Sequence, residues 1–220
     1  MWRAQVEALT AAGYRAEAID LPAHGAHIGE SFTIDAAMTG IDDAVRRAGA
    51  PPLLVGLSLG GYLGLEYAGR HGDRLAGLVA ASCHALPRGV GLSLYRGLAR
   101  GIRRLPDRGA RLDDAMARIM LSAEGARDVA AGGVALDVMD DALRAVGSTD
   151  PLASLAAYRG PLWFVVGGLD HFRLDARAYR AARPDAPFVV IPRATHLVSL
   201  VAPEAFTAVI REAADSLARE

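Results

Sequence analysis

The chain has 220 residues, 52% hydrophobic and 22% charged, which is enough for one domain with a sizeable core. Its formal net charge of -1 gives no global attraction to nucleic acid or to an anionic membrane, so either partner would need a local patch. All 24 basic residues are arginine, which excludes Schiff-base chemistry, a pyridoxal-phosphate lysine and a phosphate-loop lysine. The single cysteine, Cys83, has no partner for an intramolecular disulfide, and no Cys/His spacing suggests a metal, so neither metal nor cofactor is expected. Met1 to Glu7 lacks a charged-then-apolar signal region, and the apolar stretches are too short to span a bilayer; the expected location is cytoplasmic.

Val6, Leu9 and Ala12 recur at helical spacing up to Gly13, and Tyr14 to Asp20 then reads as a strand. After the turn Leu21-Pro22-Ala23-His24-Gly25, a helix is expected from Thr33 to Arg47, then a strand over 52–57, a helix over 59–70 and a strand from Leu75 to Ser82. Between about 87 and 160 the pattern turns helical throughout, with stretches near 92–105, 110–121, 126–146 and 151–157. Asp150-Pro151 is a good start for the last of these, with Asp as N-cap and Pro in the first turn. Alternation resumes with a strand over Leu162–Val166, a helix over Leu174–Arg183, a strand over Phe188–Ile191 and a final helix over Pro203–Ala218. Strands separated by helices imply an α/β class: a mostly parallel sheet covered on both faces, with residues 1–86 and 161–220 as the core and 87–160 as an inserted helical cap.

The pentapeptide Gly56-Leu57-Ser58-Leu59-Gly60 sits where the apolar run 52–55 gives way to a helix. Serine at the apex of a sharp strand-to-helix turn is raised above the sheet, and glycines two residues either side are expected to remove clashing side chains. The helix start points amide groups and the positive end of a dipole at the place where an oxyanion would form. Ser58 is therefore the candidate nucleophile.

A serine hydroxyl needs a histidine base, and the histidine needs a carboxylate to hold its tautomer. Asp170 follows the strand 162–166 through Gly167-Gly168-Leu169, and His196 follows the last strand. Both fall at strand C-termini, on the edge that carries Ser58, where open parallel sheets bind ligands. Asp137, Asp140, Asp141 and Asp150 are rival acids in or beside helical sequence. Cys83 and His84, just after the strand 75–82, and His171, beside Asp170, are candidate pocket-lining residues; for Cys83 a packing role competes with lining.

These segments resemble the α/β-hydrolase superfamily, in its serine-nucleophile branch with a helical cap. The resemblance rests on Gln5-x3-Leu9-x3-Gly13-Tyr14, Asp20 to Gly25, Gly56 to Gly61, Gly167 to Asp170, and His196-x6-Pro203-Glu204-x-Phe206. Ala23 stands where a glycine is usual, and Thr195 where a glycine is frequent. The resemblance implies one oxyanion donor from the Leu59 N–H and a second from a His-Gly turn ahead of the first helix, after a strand that normally lies between 14–20 and 52–57. Both are missing, so an N-terminally shortened sheet and a gene product that starts upstream are expected. His71-Gly72 lies after the helix that follows Ser58 and does not substitute.

The expected function is a serine hydrolase cleaving a small or medium ester or thioester through an acyl-enzyme. A lyase or carbon-carbon hydrolase on the same three residues is the alternative within the fold, and a non-catalytic ligand-binding or inactive truncated homologue the alternative outside it. No nucleic-acid partner or integral membrane association is expected. In the cap, Arg96, Arg100, Arg103 and Arg104 share one face of a helix, and Tyr95, Leu98, Ile102 and Leu105 another. The arginines are expected to form a solvated face and the apolar stripe to pack on the core, against the alternatives of an anionic substrate group or a membrane surface.

Overall fold

The computed structural model describes residues 1–107, 110–132 and 138–219. Its sheet has four parallel strands in the order β1 (Leu53–Leu57), β2 (Gly77–Ala81), β3 (Leu162–Gly167) and β4 (Phe188–Ile191). Leu53 pairs with Gly77, Leu78 with Leu162 and Phe164 with Phe188, so every strand runs toward the same edge.

Alternation along the strands divides the core in two. Leu54, Leu78, Ala80 and Phe164 face a cluster that includes Met38, Ile41 and Val45 of α2 (Ile34–Arg47), Leu63 and Tyr67 of α3 (Leu59–His71), and Tyr179 of α9 (Ala176–Ala182). Leu57, Val79, Ala81 and Val165 face Phe206, Ile210 and Ala213 of α11 (Pro203–Leu217), with Leu9 of α1 (Arg3–Ala11) packed alongside. Burial on both faces is why these strands read as continuous apolar runs. The four-residue α10 (Val198–Val201), not foreseen in the sequence, leads into α11.

Tyr14 to Asp20 forms no strand, contrary to expectation. Among the described residues β1 pairs only with β2, so this stretch has no ladder to join, and an extended segment without a ladder partner is not a strand. Side chains anchor it instead: the Arg15 guanidinium donates to the Ala48 carbonyl, and Glu17 pairs with Arg47 of α2 at 2.8 Å.

Between β2 and β3 run α4 (Gly89–Arg103), α5 (Ala110–Met120), α6 (Ala123–Gly132), α7 (Met139–Val146) and α8 (Pro151–Ala157). The helical stretch expected over 126–146 divides into α6 and α7, and residues 133–137 of it lie outside the described residues. α4 packs on α7, whereas α8 packs on α3 and α9. The Asp150 carboxylate accepts from the amides of Leu152 and Ala153 and starts α8 with Pro151 in its first turn, as the sequence implied. No helix among the described residues is long and apolar enough to cross a membrane.

The orientation of α4 overturns one half of the expectation for its faces: Arg100, Arg103 and Arg104 are exposed as expected, but of the apolar stripe only Ile102 is half-buried. Leu92 lies against Gly147, Ala99 is buried, and Arg96 Nε reaches Asp140 Oδ1 of α7 at 2.9 Å; Leu94, Tyr95, Leu98 and Leu105 are exposed. Two features select that face: the short side chain of Ala99 permits close approach, and the Asp140 carboxylate draws Arg96 in. The hydrogen bond from Arg96 holds the Asp140 carboxyl below the usual carboxylate range despite the cost of burial.

Candidate active site

Ser58, the first residue after β1, has φ 53° and ψ -116°, in the left-handed region that costs a non-glycine residue about 1–3 kcal/mol. Its amide donates to the Ala81 carbonyl at 2.8 Å, and its own carbonyl accepts from the Tyr62 amide at 3.1 Å, so β2 and α3 hold the turn from both sides. Leu59 opens α3, and its amide therefore has no acceptor within the helix.

The glycines around Ser58 have unequal roles. A Cβ on Gly56 would lie 2.1 Å from the Gly60 carbonyl oxygen, and one on Gly61 would lie 2.8 Å from Cys83 Sγ and 3.0 Å from the Ala81 carbonyl oxygen. A Cβ on Gly60 would meet nothing within 4 Å. The space needed by the turn thus comes from Gly56 and Gly61, and Gly60 is not the counterpart that the symmetric spacing suggested. Gly56→Ala is expected to lower stability by about 1–3 kcal/mol through overpacking, and Gly60→Ala to raise it by up to about 1 kcal/mol through helix propensity. Urea unfolding of both variants checks the asymmetry.

The structure brings the three distant candidates together. His196 Nε2 is 2.8 Å from Ser58 Oγ, and His196 Nδ1 is 3.0 and 3.2 Å from the two oxygens of Asp170. Gly167 makes the acid loop's approach possible, since a Cβ there would sit 2.3 Å from the Thr195 carbonyl oxygen and 2.4 Å from that of Ala194. The amides of Gly168 and Leu169 then donate to the carbonyls of Ile191 and Ala194, both at 2.9 Å, tying the acid loop to the histidine loop.

Asp170 is buried, and burial pushes its carboxyl up. Hydrogen bonds from His196 and the Phe172 amide, the latter at 2.8 Å, outweigh this and hold it below the usual carboxylate range. The rival acids are placed differently. Asp140 is bound to Arg96, Asp141 pairs with Arg144, Asp150 caps α8, and Asp137 lies outside the described residues. Among the described residues no group of His, Cys, Asp and Glu could hold a metal ion.

Of the candidate pocket-lining residues, only His171 presents surface. It lies 4.0 Å from Asp170 Oδ1, and burial together with the nearby His196 holds its pKa below the ordinary value. Cys83 is buried beneath Gly61, where desolvation pushes its thiol far up and leaves it unreactive. His84 is buried among Phe164, Tyr179 and Phe188, at ring-centroid distances of 4.9–5.3 Å.

Three further residues join the site. Ser82, buried with φ 52°, directly follows β2, and its hydroxyl donates to the His196 carbonyl at 2.8 Å. Its place one residue past a strand on the catalytic edge, matching that of Ser58, is the signal that could have found it. The Phe172 ring lies 4.5 Å from the His196 ring, and Tyr95 of α4 contacts both His171 and Phe172. No sequence pattern connects Tyr95 with residues more than seventy positions away.

The fold is shared with solved structures of low sequence identity. A hydrolase from Pseudomonas aeruginosa PA01 superposes with a TM-score of 0.78 at 22% identity, over 97% of this chain and 84% of that one. A bromoperoxidase from Bacillus anthracis gives 0.76 at 20% identity over 97% and 86%, and a thermophilic esterase from Thermogutta terrifontis 0.63 at 23% over 98% and 85%. No curated protein matches the sequence. The model of the alpha/beta hydrolase family matches residues 1–209, nearly the whole chain and all of the Ser58, Asp170 and His196 positions, and the chain belongs to that family.

Proposed function

We propose that the protein is a serine hydrolase acting on a small or medium ester or thioester through an acyl-enzyme. One observation carries this reading: the unbroken hydrogen-bond chain from Ser58 Oγ through His196 to Asp170. His196 Nε2 takes the Ser58 proton as Oγ attacks the acyl carbon, and Asp170, accepting from Nδ1, orients the ring and stabilises its cation. The Leu59 amide, at the positive end of α3, stabilises the oxyanion. Collapse of the tetrahedral intermediate expels the alcohol or thiol with the proton held on Nε2. Water then attacks the acyl-Ser58 carbon, His196 again taking and returning the proton, and frees the acid.

The helices inserted over 87–160 act as the cap of this site, with Tyr95 the contact that reaches the acid loop. The neighbouring esterase and hydrolase folds are compatible with this chemistry. A fluorophosphonate probe is expected to label the folded protein at Ser58, and labelling should disappear in Ser58→Ala. Folded wild-type protein that resists the probe would instead favour a ligand-binding protein without acyl transfer.

A further inference from the structure

The outward face of α4 is unusual for a helix docked on a soluble domain. Leu94, Leu98 and Leu105 are 72%, 59% and 43% exposed. At 3.6 residues per turn Leu94 and Leu98 fall with Gly101 on one line along the helix, and Leu105 follows two residues past its end. Leu98 and Leu105 belong to the stripe expected to be buried and face solvent instead, and Leu94 extends the exposed surface. An apolar stripe this long exposes area that a monomer in water gains by covering.

Its two flanks differ. On one side Tyr95 stacks on His171 at 6.0 Å and lies 5.2 Å from Phe172, whose ring contacts His196, so the stripe borders the mouth of the candidate site. On the other side lie Arg104, exposed, and Arg100, 56% exposed with its Nε 3.9 Å from the Asp140 carboxylate of α7 that Arg96 holds. No acidic residue occurs in the sequence between Asp73 and Asp107, although the whole chain carries a net charge of -1. Positive charge beside an exposed leucine stripe is the pattern of a helix that lies in a lipid interface: leucines enter the acyl boundary, and arginine stems reach toward phosphate groups. Another copy of this chain would present the same cationic helix and would bring like charges together.

We propose that α4 docks the protein on an anionic phospholipid surface, with the site mouth held beside that surface. The docking is peripheral and needs no spanning helix. It stands apart from the chemistry assigned to Ser58, because the helix would bind lipid with the serine intact or absent.

Sedimentation of the full chain with vesicles tests this. The chain is expected to pellet with phosphatidylcholine vesicles containing phosphatidylglycerol, to remain in the supernatant with phosphatidylcholine alone, and to be released by high salt. Leu94→Ser with Leu98→Ser, and separately Arg100→Glu with Arg104→Glu, should each weaken partitioning by about tenfold or more. Both pairs lie on the surface, so far-UV circular dichroism and fluorophosphonate labelling in solution should match wild type. Absence of binding to anionic vesicles, or binding that survives both pairs of substitutions, overturns the proposal. So does a dimer in light scattering that the leucine substitutions dissociate, because the stripe would then be a contact between copies.

Discussion

Asp170→Asn is expected to lower kcat for ester hydrolysis by about ten-thousandfold while leaving KM within a few-fold of wild type. In the wild-type geometry the carboxylate can only accept, so it selects the His196 tautomer with hydrogen on Nδ1 and leaves Nε2 with a lone pair facing Ser58 Oγ at 2.8 Å. Asparagine can place its NH2 at the same position and donate to Nδ1. The favoured tautomer then carries hydrogen on Nε2, which cannot accept the serine proton. About 5.5 kcal/mol of barrier corresponds to this loss. Because the substitution is nearly isosteric and the Phe172 amide can still find the side-chain oxygen, the loop should hold its place. Steady-state kinetics on a soluble aryl ester measures the effect. A drop of less than about tenfold would mean that Asp170 does not orient the base.

The sequence made the site legible because each participant stands at the same kind of place, just past the C-terminal end of a parallel strand. Ser58 follows β1, Asp170 follows β3 and His196 follows β4, so locating strands was enough to locate the three side chains that the structure brings together. The Gly56 turn was readable for a local reason: its missing Cβ faces the Gly60 carbonyl four residues on. Other features depended on contacts with no local signature. Which face of α4 turns inward is decided by α7, some forty residues away, through the Arg96 to Asp140 pair. Periodicity reports that a helix has two faces and leaves open which one is covered.

Tyr14 to Asp20 shows the same limit for strands. Its half-buried Tyr14 and Ala16, two residues apart, give the alternation of a strand, but a strand exists only as a pair, and pairing is a property of the neighbour. His84 shows it for polar groups. A histidine just beyond a strand on the catalytic edge has the sequence position of a pocket residue, yet its side chain turns back among three aromatic rings instead of toward Ser58.

That burial leads to a pH dependence of stability that His84 should dominate. Among the described residues neither of its ring nitrogens has a hydrogen-bond partner, and desolvation pushes its pKa down to about 4 from an ordinary value of 6.5. Between these values the unfolded chain binds a proton that the native protein refuses, so stability rises with pH across this window and falls as pH is lowered through it. The loss begins near pH 6.5, reaches about 3 kcal/mol near pH 4, and grows no further from this group below that. Asp170, whose carboxyl is depressed, makes its own contribution at lower pH: its stabilisation is present above the ordinary carboxylate range and is lost as pH falls through its depressed value. The two groups therefore act in separate windows. His84→Leu, close in volume and with no nitrogen to protonate, is expected to flatten the urea midpoint between pH 7 and pH 4.5 and to leave the loss at lower pH in place. The native state at pH 7 should also gain about 1 kcal/mol or more, since two orphaned buried nitrogens are removed. Urea titrations of both proteins across pH 3.5 to 8 measure this. An unchanged slope above pH 4.5 in the variant would show that His84 is hydrated or paired in solution, in which case its burial does not control acid stability.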